Sequence, residues 1–248
     1  MCATLVTGNT SNGFHSAARI NRSLTATVEK RVLVWMAERA PAWITSDRLT
    51  VLGLSAQMAA GACYALAGYN RYALLPAIVC IALNWLGDSL DGTLARVRRQ
   101  QRPRYGFYVD HIVDIFGSVA LMTGLACSGF LHWQVAIAML IGFLLLASES
   151  YLATYTLECF QISQGFLGPT EIRILLIIGN LALLRSPYSV LFGHKFLLFD
   201  IGGAIAAAGM FAMAIAITAR HTAALYRQEP LVKVSESAPL PGHSTFAS

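Results

Sequence analysis

Residues 84–114, NWLGDSLDGTLARVRRQQRPRYGFYVDHIVD, carry four aspartates, Asp88, Asp91, Asp110 and Asp114, separated by five arginines. On either side the chain turns apolar: residues 72–83 and 115–128 hold no charged residue. The acidic groups therefore sit at one end of two apolar segments joined by a basic loop. The whole chain shares that bias, with 56% apolar and 12% charged residues, against roughly a quarter charged in soluble domains. A mean hydropathy of +0.56 and repeated apolar runs of about 20 residues predict a polytopic, all-α integral membrane protein. This composition excludes a disordered chain and a nucleic-acid-coating protein. The five cysteines have neither disulfide nor zinc spacing and read as reduced apolar residues.

Six spans are expected, at residues 49–69, 72–92, 106–128, 132–154, 170–186 and 197–219, forming one six-transmembrane-helix bundle over 45–225. The fifth is short and is followed by Pro187. Upstream, residues 23–40 interleave Leu24, Val28, Val32 and Leu33 with Glu29, Lys30, Arg31 and Arg39, the pattern of an amphipathic interfacial helix. Residues 1–22 read as a flexible tail rather than a cleaved leader, and 226–248, rich in Pro and Ser, as a disordered tail. Basic residues crowd the segments that share a side with the N-terminus, whereas the opposite loops hold only Arg71, Arg185 and Lys195. The positive-inside rule then puts both termini and the aspartates in the cytoplasm. The net charge of +5 favours anionic lipid headgroups, and no nucleic-acid partner is expected.

Aspartates facing lipid would each cost about 2.5 to 3.5 kcal/mol, so all four must face the bundle interior. At about 100° per residue, Asp88, Asp91, Gly92 and Ala95 share one helix face, and Gly106, Asp110 and Asp114 another. Two carboxylates about 6 Å apart repel by about 2.8 kcal/mol at an effective dielectric near 20. Four such groups call for cations. With oxygen donors alone nearby, hard ions suit them, Mg²⁺ or Mn²⁺, and two would balance four charges, the arrangement used for phosphoryl chemistry.

The pattern Asp88-x2-Asp91-Gly92-x2-Ala95-Arg96, nine residues, then Gly106-x3-Asp110-x3-Asp114 resembles the signature of the CDP-alcohol phosphotransferases, membrane enzymes of phospholipid synthesis. All eight fixed residues are present, with a slightly longer intervening stretch than in most members. Ser46-Asp47-Arg48-Leu49-Thr50 stands where many relatives carry Pro-Asn-x-(Leu/Ile)-Thr. Gly168-Pro169-Thr170-Glu171 and Asp110-His111 resemble segments of the choline and ethanolamine branch.

The resemblance implies metal binding by Asp88, Asp91, Asp110 and Asp114, with Asp114 the catalytic base. It also implies substrate binding by Gly92, Ala95, Arg96 and Gly106, and a homodimer in a bacterial cytoplasmic membrane. Glu149, Glu171 and Arg173 are candidates for an acceptor pocket, with a plain Glu149–Arg173 ion pair as the competing account. His111 points about 100° away from Asp110 and is expected to pack. The reaction implied is transfer of a substituted phosphate from a CDP-linked donor, CDP-diacylglycerol, to a polar alcohol with release of CMP. The reverse scheme joins CDP-choline or CDP-ethanolamine to diacylglycerol. A cation transporter or a membrane scaffold would keep the hydropathy but has no use for the glycines and Arg96 at fixed offsets.

Overall fold

The computed structural model describes residues 18–20, 26–157, 159–161, 168–191 and 193–229 of the chain. Most of them are helical. A short strand, β1 (Ala18–Ile20), precedes α1 (Ala26–Arg39). The long helices α2 (Ser46–Ala67), α3 (Leu74–Val97), α4 (Pro103–Cys127) and α5 (Trp133–Leu157) follow. After them come β2 (Cys159–Gln161), α6 (Pro169–Arg185), the strands β3 (Tyr188–Leu191) and β4 (His194–Leu197), and α7 (Leu198–Gln228).

Among the described residues, five helical segments are long and apolar enough to cross a membrane: α2, Arg71–Val97 including α3, α4, α5 and α7. With 17 residues, α6 is about 25 Å long against a hydrocarbon core of about 30 Å. Its flank is nonetheless apolar and exposed at Ile172, Leu175, Ile178 and Leu181. Most of the tails expected at 1–22 and 226–248 lies outside the described residues. Where the C-terminal tail was expected to begin, α7 continues through Arg227 and Gln228, because no residue in 220–228 breaks a helix and the first proline is Pro230.

Two small β ribbons depart from the all-helical expectation. β1 and β2 pair in parallel, Ala18 opposite Cys159 and Ile20 opposite Gln161. β3 and β4 form an antiparallel hairpin where a loop was expected. Pro187 stops α6, Tyr188, Val190 and Phe196 supply β-forming side chains, and Gly193 takes the left-handed turn at φ +81°.

Local chemistry fixes the helix starts. Thr45 Oγ1 caps α2 by accepting from the Arg48 amide at 3.3 Å. Pro103 and Pro169 open α4 and α6, where a missing N–H costs nothing. Glu171 reaches back to accept from the Gly168 amide at 2.9 Å.

Packing centres on α2, whose Ala56, Ala60, Tyr64 and Ala67 are buried. Small residues let backbones touch. A Cβ on Gly87 would lie 2.6 Å from Gly53 N and Leu49 O, and one on Gly124 would lie 1.9 Å from Gly61 O. Such contact is how membrane helices associate without a hydrophobic drive. In the apolar middle, Tyr64 Oη donates to Asn180 Oδ1 at 3.0 Å, both fully buried, joining α2 to α6. At the end of the bundle where the aspartates lie, α1 buries Leu33 and Ala37 against Leu49, Leu90 and Leu94. Arg98 closes the α1–α2 turn by donating to the carbonyls of Ala40, Pro41 and Ile44.

Candidate active site

The close seam between α2 and α3 and the basic turn into α4 bring the acidic ends of α3 and α4 together. Carboxylate oxygens of Asp88, Asp110 and Asp114 all lie within 4.8 Å of one another, each residue half-buried. Asp110 and Asp114 share a face because they are four residues apart. Asp91 is turned away toward α2: its Oδ2 accepts from Thr50 Oγ1 at 2.6 Å, and its other oxygen accepts from the Gly92 amide. The Asp91 main-chain carbonyl accepts from Ser46 Oγ at 3.0 Å. All four aspartates line one small cavity of about 10 Å³, room for the centre of about one water-sized body.

One counter-charge is built in. Arg173 donates from Nη2 to Asp88 Oδ2 at 2.6 Å and from Nε to Asn84 Oδ1 at 2.8 Å. Asn84 is itself held by Gly53 O at 3.0 Å and Gln57 Oε1 at 3.2 Å. Three carboxylates and one guanidinium leave a formal charge of −2 on the cluster, which one divalent ion would neutralise. Two carboxylates 4.8 Å apart repel by about 3.5 kcal/mol at an effective dielectric near 20. The charge, the all-oxygen donors and the cavity size therefore fit a hard divalent cation.

Gly92 and Gly106 are open rather than packed. A Cβ on Gly92 would meet only Arg96 Nη1, at 3.6 Å, and one on Gly106 nothing within 4 Å. Close helix packing therefore does not explain either glycine. Ala95 continues the same half-buried face, and exposed Arg96 donates from Nη2 to Thr93 Oγ1 at 2.9 Å. Arg102 pairs with Asp47 and lies over the Tyr105 ring at 4.1 Å. His111 sits between Phe107 and Tyr151, with ring centroids 4.2 and 4.7 Å away.

The proposed Glu149–Arg173 ion pair is not formed. Arg173 goes to Asp88, and Glu149 Oε1 instead meets His221 Nδ1 on α7. The reason is position: Arg173 lies one turn into α6, directly opposite α3, whereas α5 packs along α7. Glu171 is buried and occupied in capping α6.

The four aspartates, Arg173 and Glu171 line the polar end of a cleft of about 2340 Å³, which Glu149 and His221 do not reach. Its far end is walled by Leu131, Met139, Phe199 and Met210, so it leads from charge to hydrocarbon. The sequence profile of the CDP-alcohol phosphatidyltransferases matches residues 43–220, most of the chain and all four aspartates. The chain belongs to the CDP-alcohol phosphatidyltransferase family. A curated relative, archaetidylinositol phosphate synthase of Pyrococcus horikoshii, is 28% identical over 116 residues, 46% of this chain and 53% of the relative. The chain thus spans about half the length of the curated relative it matches.

Membership of this family and the long apolar helices together fit an integral membrane protein. Within this family site, sequence reasoning named Thr50 as part of a family-like segment without giving it a partner, and missed Asn84 and His221. Each is a neutral polar residue in an apolar run or a residue beyond the last expected span, and only helix pairing gives it a partner. The signal available was Asn84, a polar side chain buried in a span four residues before Asp88.

Proposed function

We propose that this protein transfers a phosphatidyl-type group from a CDP-linked lipid, CDP-diacylglycerol or a close analogue, to a polar alcohol, releasing CMP. The observation that carries the proposal is the convergence of Asp88, Asp110 and Asp114 at the polar end of a cleft whose other end is apolar. That layout suits a donor whose nucleotide meets water while its chains stay in lipid.

One divalent ion, Mg²⁺ or Mn²⁺, would be held by Asp88, Asp110 and Asp114, and a second, shared with Asp91, would have the donor's own pyrophosphate as its counter-charge; together they would supply neutralisation of the pyrophosphate. Asp114 accepts the proton of the attacking hydroxyl. The hydroxyl oxygen bonds to the lipid-side phosphorus, the bond from that phosphorus to the bridging oxygen breaks, and CMP leaves with the electron pair. Gly92, Ala95 and Gly106 leave room for the nucleotide, and the Arg96 fork binds phosphate. On the acceptor side, Arg173 and Glu171 shape the pocket. Glu149, tied to His221 and outside the cleft wall, supports it from α5.

The name of the Pyrococcus relative, archaetidylinositol phosphate synthase, favours a lipid-linked donor and a polyhydroxyl acceptor. The Gly168–Glu171 likeness to the aminoalcohol branch carries less weight, since this segment has a helix-capping role of its own. In the same reading α6 is a sixth crossing, residues 45–225 form one catalytic unit, both termini and the site are cytoplasmic, and the protein is a homodimer.

The test supplies radiolabelled CDP-diacylglycerol with a panel of alcohols including inositol and inositol phosphate, and separately CDP-choline and CDP-ethanolamine with diacylglycerol. Lipid product is expected in the first set. Product confined to the second reverses the donor assignment, and no CMP release in either set overturns the transferase reading.

A further inference from the structure

Glu29 was expected to be one surface charge among several on an interfacial helix. Instead a single oxygen, Oε1, accepts three hydrogen bonds from two other helices. Thr170 Oγ1 donates at 2.8 Å, Trp85 Nε1 at 3.1 Å and Ser89 Oγ at 3.2 Å. Trp85 and Ser89 bracket Asp88 on α3. Thr170 stands three residues before Arg173 on α6, nearly one helical turn. One carboxylate on α1 therefore ties together the stretches that present Asp88 and Arg173, the two ends of the ion pair at the acidic cluster.

Physical reasons favour an acid at this point. Thr170 lies in the first turn of α6, where the helix dipole stabilises a negative charge. Hydrogen bonds to an ionised acceptor are also about twice as strong as neutral ones. The start of α6 needs such a fixing, because α6 is the shortest of the long helices and α1 itself packs mainly on α3. A second link runs alongside: β1, just before α1, pairs with β2 on the α5–α6 connection.

We infer that Glu29 is a positioning residue, a pin from the juxtamembrane helix that holds α6 against α3 and so fixes Arg173 at Asp88. The inference rests on the transferase reading of the aspartate cluster. Glu29 does not touch the reacting atoms. Its removal should slow turnover by letting Arg173 and the acceptor side drift, while the donor still binds.

The experiment uses the full chain with Trp35→Phe, Trp43→Phe and Trp133→Phe, leaving Trp85 as the sole reporter. Glu29→Ala should lower kcat about ten- to a hundredfold, the scale of a 1 Å misplacement, shift Trp85 emission, and leave KM for CDP-diacylglycerol within about threefold. Glu29→Gln keeps an amide oxygen at the Oε1 position and should return kcat to within about threefold of the parent and Trp85 emission to the parent position. Thr170→Val should slow turnover, and adding it to Glu29→Ala should cost less than the product of the two single losses. Parental kcat in Glu29→Ala overturns the inference, as does a Glu29→Gln variant as slow as Glu29→Ala. Failure of the parent chain to release CMP sinks the transferase reading alone. The emission comparison then still decides the pin, and unchanged Trp85 emission in Glu29→Ala rejects it.

Discussion

Gly87→Ala and Gly106→Ala add the same methyl group to the two acidic helices, and the structure assigns them opposite consequences. At Gly87 the new Cβ would lie 2.6 Å from Gly53 N and from Leu49 O, whereas ordinary contact begins at 3.4 Å. Both neighbours are backbone atoms of α2, so no side chain can rotate aside, and α3 must move by about 0.8 Å. Overpacking of this kind costs about 1 to 3 kcal/mol, against a gain of about 1 kcal/mol from replacing glycine in a helix. The functional cost is larger. The shift falls next to Asp88 and between Asp91 and its Thr50 partner, and displacements near 1 Å can slow catalysis by about a hundredfold. At Gly106 the added Cβ meets nothing within 4 Å, so folding should be unchanged or slightly improved. Its effect should appear as a raised KM for the CDP-linked donor. CMP release and thermal unfolding measured on both variants in one detergent provide the assay. Parental kcat and melting temperature in Gly87→Ala would refute the close-contact argument, and an unchanged donor KM in Gly106→Ala would refute nucleotide approach at that glycine.

Asp88→Ala and Asp110→Ala should each abolish CMP release and weaken Mn²⁺ binding read by electron paramagnetic resonance, with turnover also lost in excess chelator; Mn²⁺ binding at parental strength in both would remove the cluster from metal binding. Asp114→Asn, nearly isosteric but unable to take a proton, should lower kcat by at least about a hundredfold with donor binding retained, and near-parental turnover would move the base elsewhere. Thr50→Val removes the hydroxyl that holds Asp91 Oδ2 and should cost about tenfold in kcat, the order of one charge-assisted hydrogen bond; equal activity would mean that Asp91 needs no fixing. Single cysteines at Gln101 and Ser186 in a cysteine-free chain should label from opposite faces of the membrane, and labelling from one face would break the six-crossing topology.

The acidic helices were legible because burying charge in an apolar run is so costly that few readings survive it. Asp88, Asp110 and Asp114 could be placed on facing helices from spacing alone. Asp91 could not be distinguished from them, since its turn toward Thr50 depends on how deeply α2 sits against α3, which Gly53 and Gly87 decide. Hydropathy located α7 but ended it near residue 219. A helix that leaves the membrane continues on propensity alone, and hydropathy is blind to that. Glu149, Glu171 and Arg173 were singled out as an acceptor pocket, with a Glu149–Arg173 ion pair as the competing account. Which partner each takes is a property of helix order, and so the salt link drawn between Glu149 and Arg173 gave way to two others. Glu29 was illegible for a related reason. Its three donors lie 56 to 141 residues away along the chain, beyond the reach of any local pattern.

The buried Tyr64–Asn180 bond has a bearing on how α6 is oriented. Asn180 follows Arg173 by seven residues, so the two side chains leave the helix at nearly the same azimuth, about 20° apart. With Asn180 clasped by Tyr64 and Arg173 by Asp88, α6 is held at two points two turns apart, in addition to the Thr170–Glu29 bond at its start. A helix clasped in this way on one face, with Ile172, Leu175 and Ile178 exposed on another, cannot turn about its own axis without breaking a buried hydrogen bond. The direction in which Arg173 faces the aspartates is thereby set in part by a hydrogen bond seven residues away, outside the site itself.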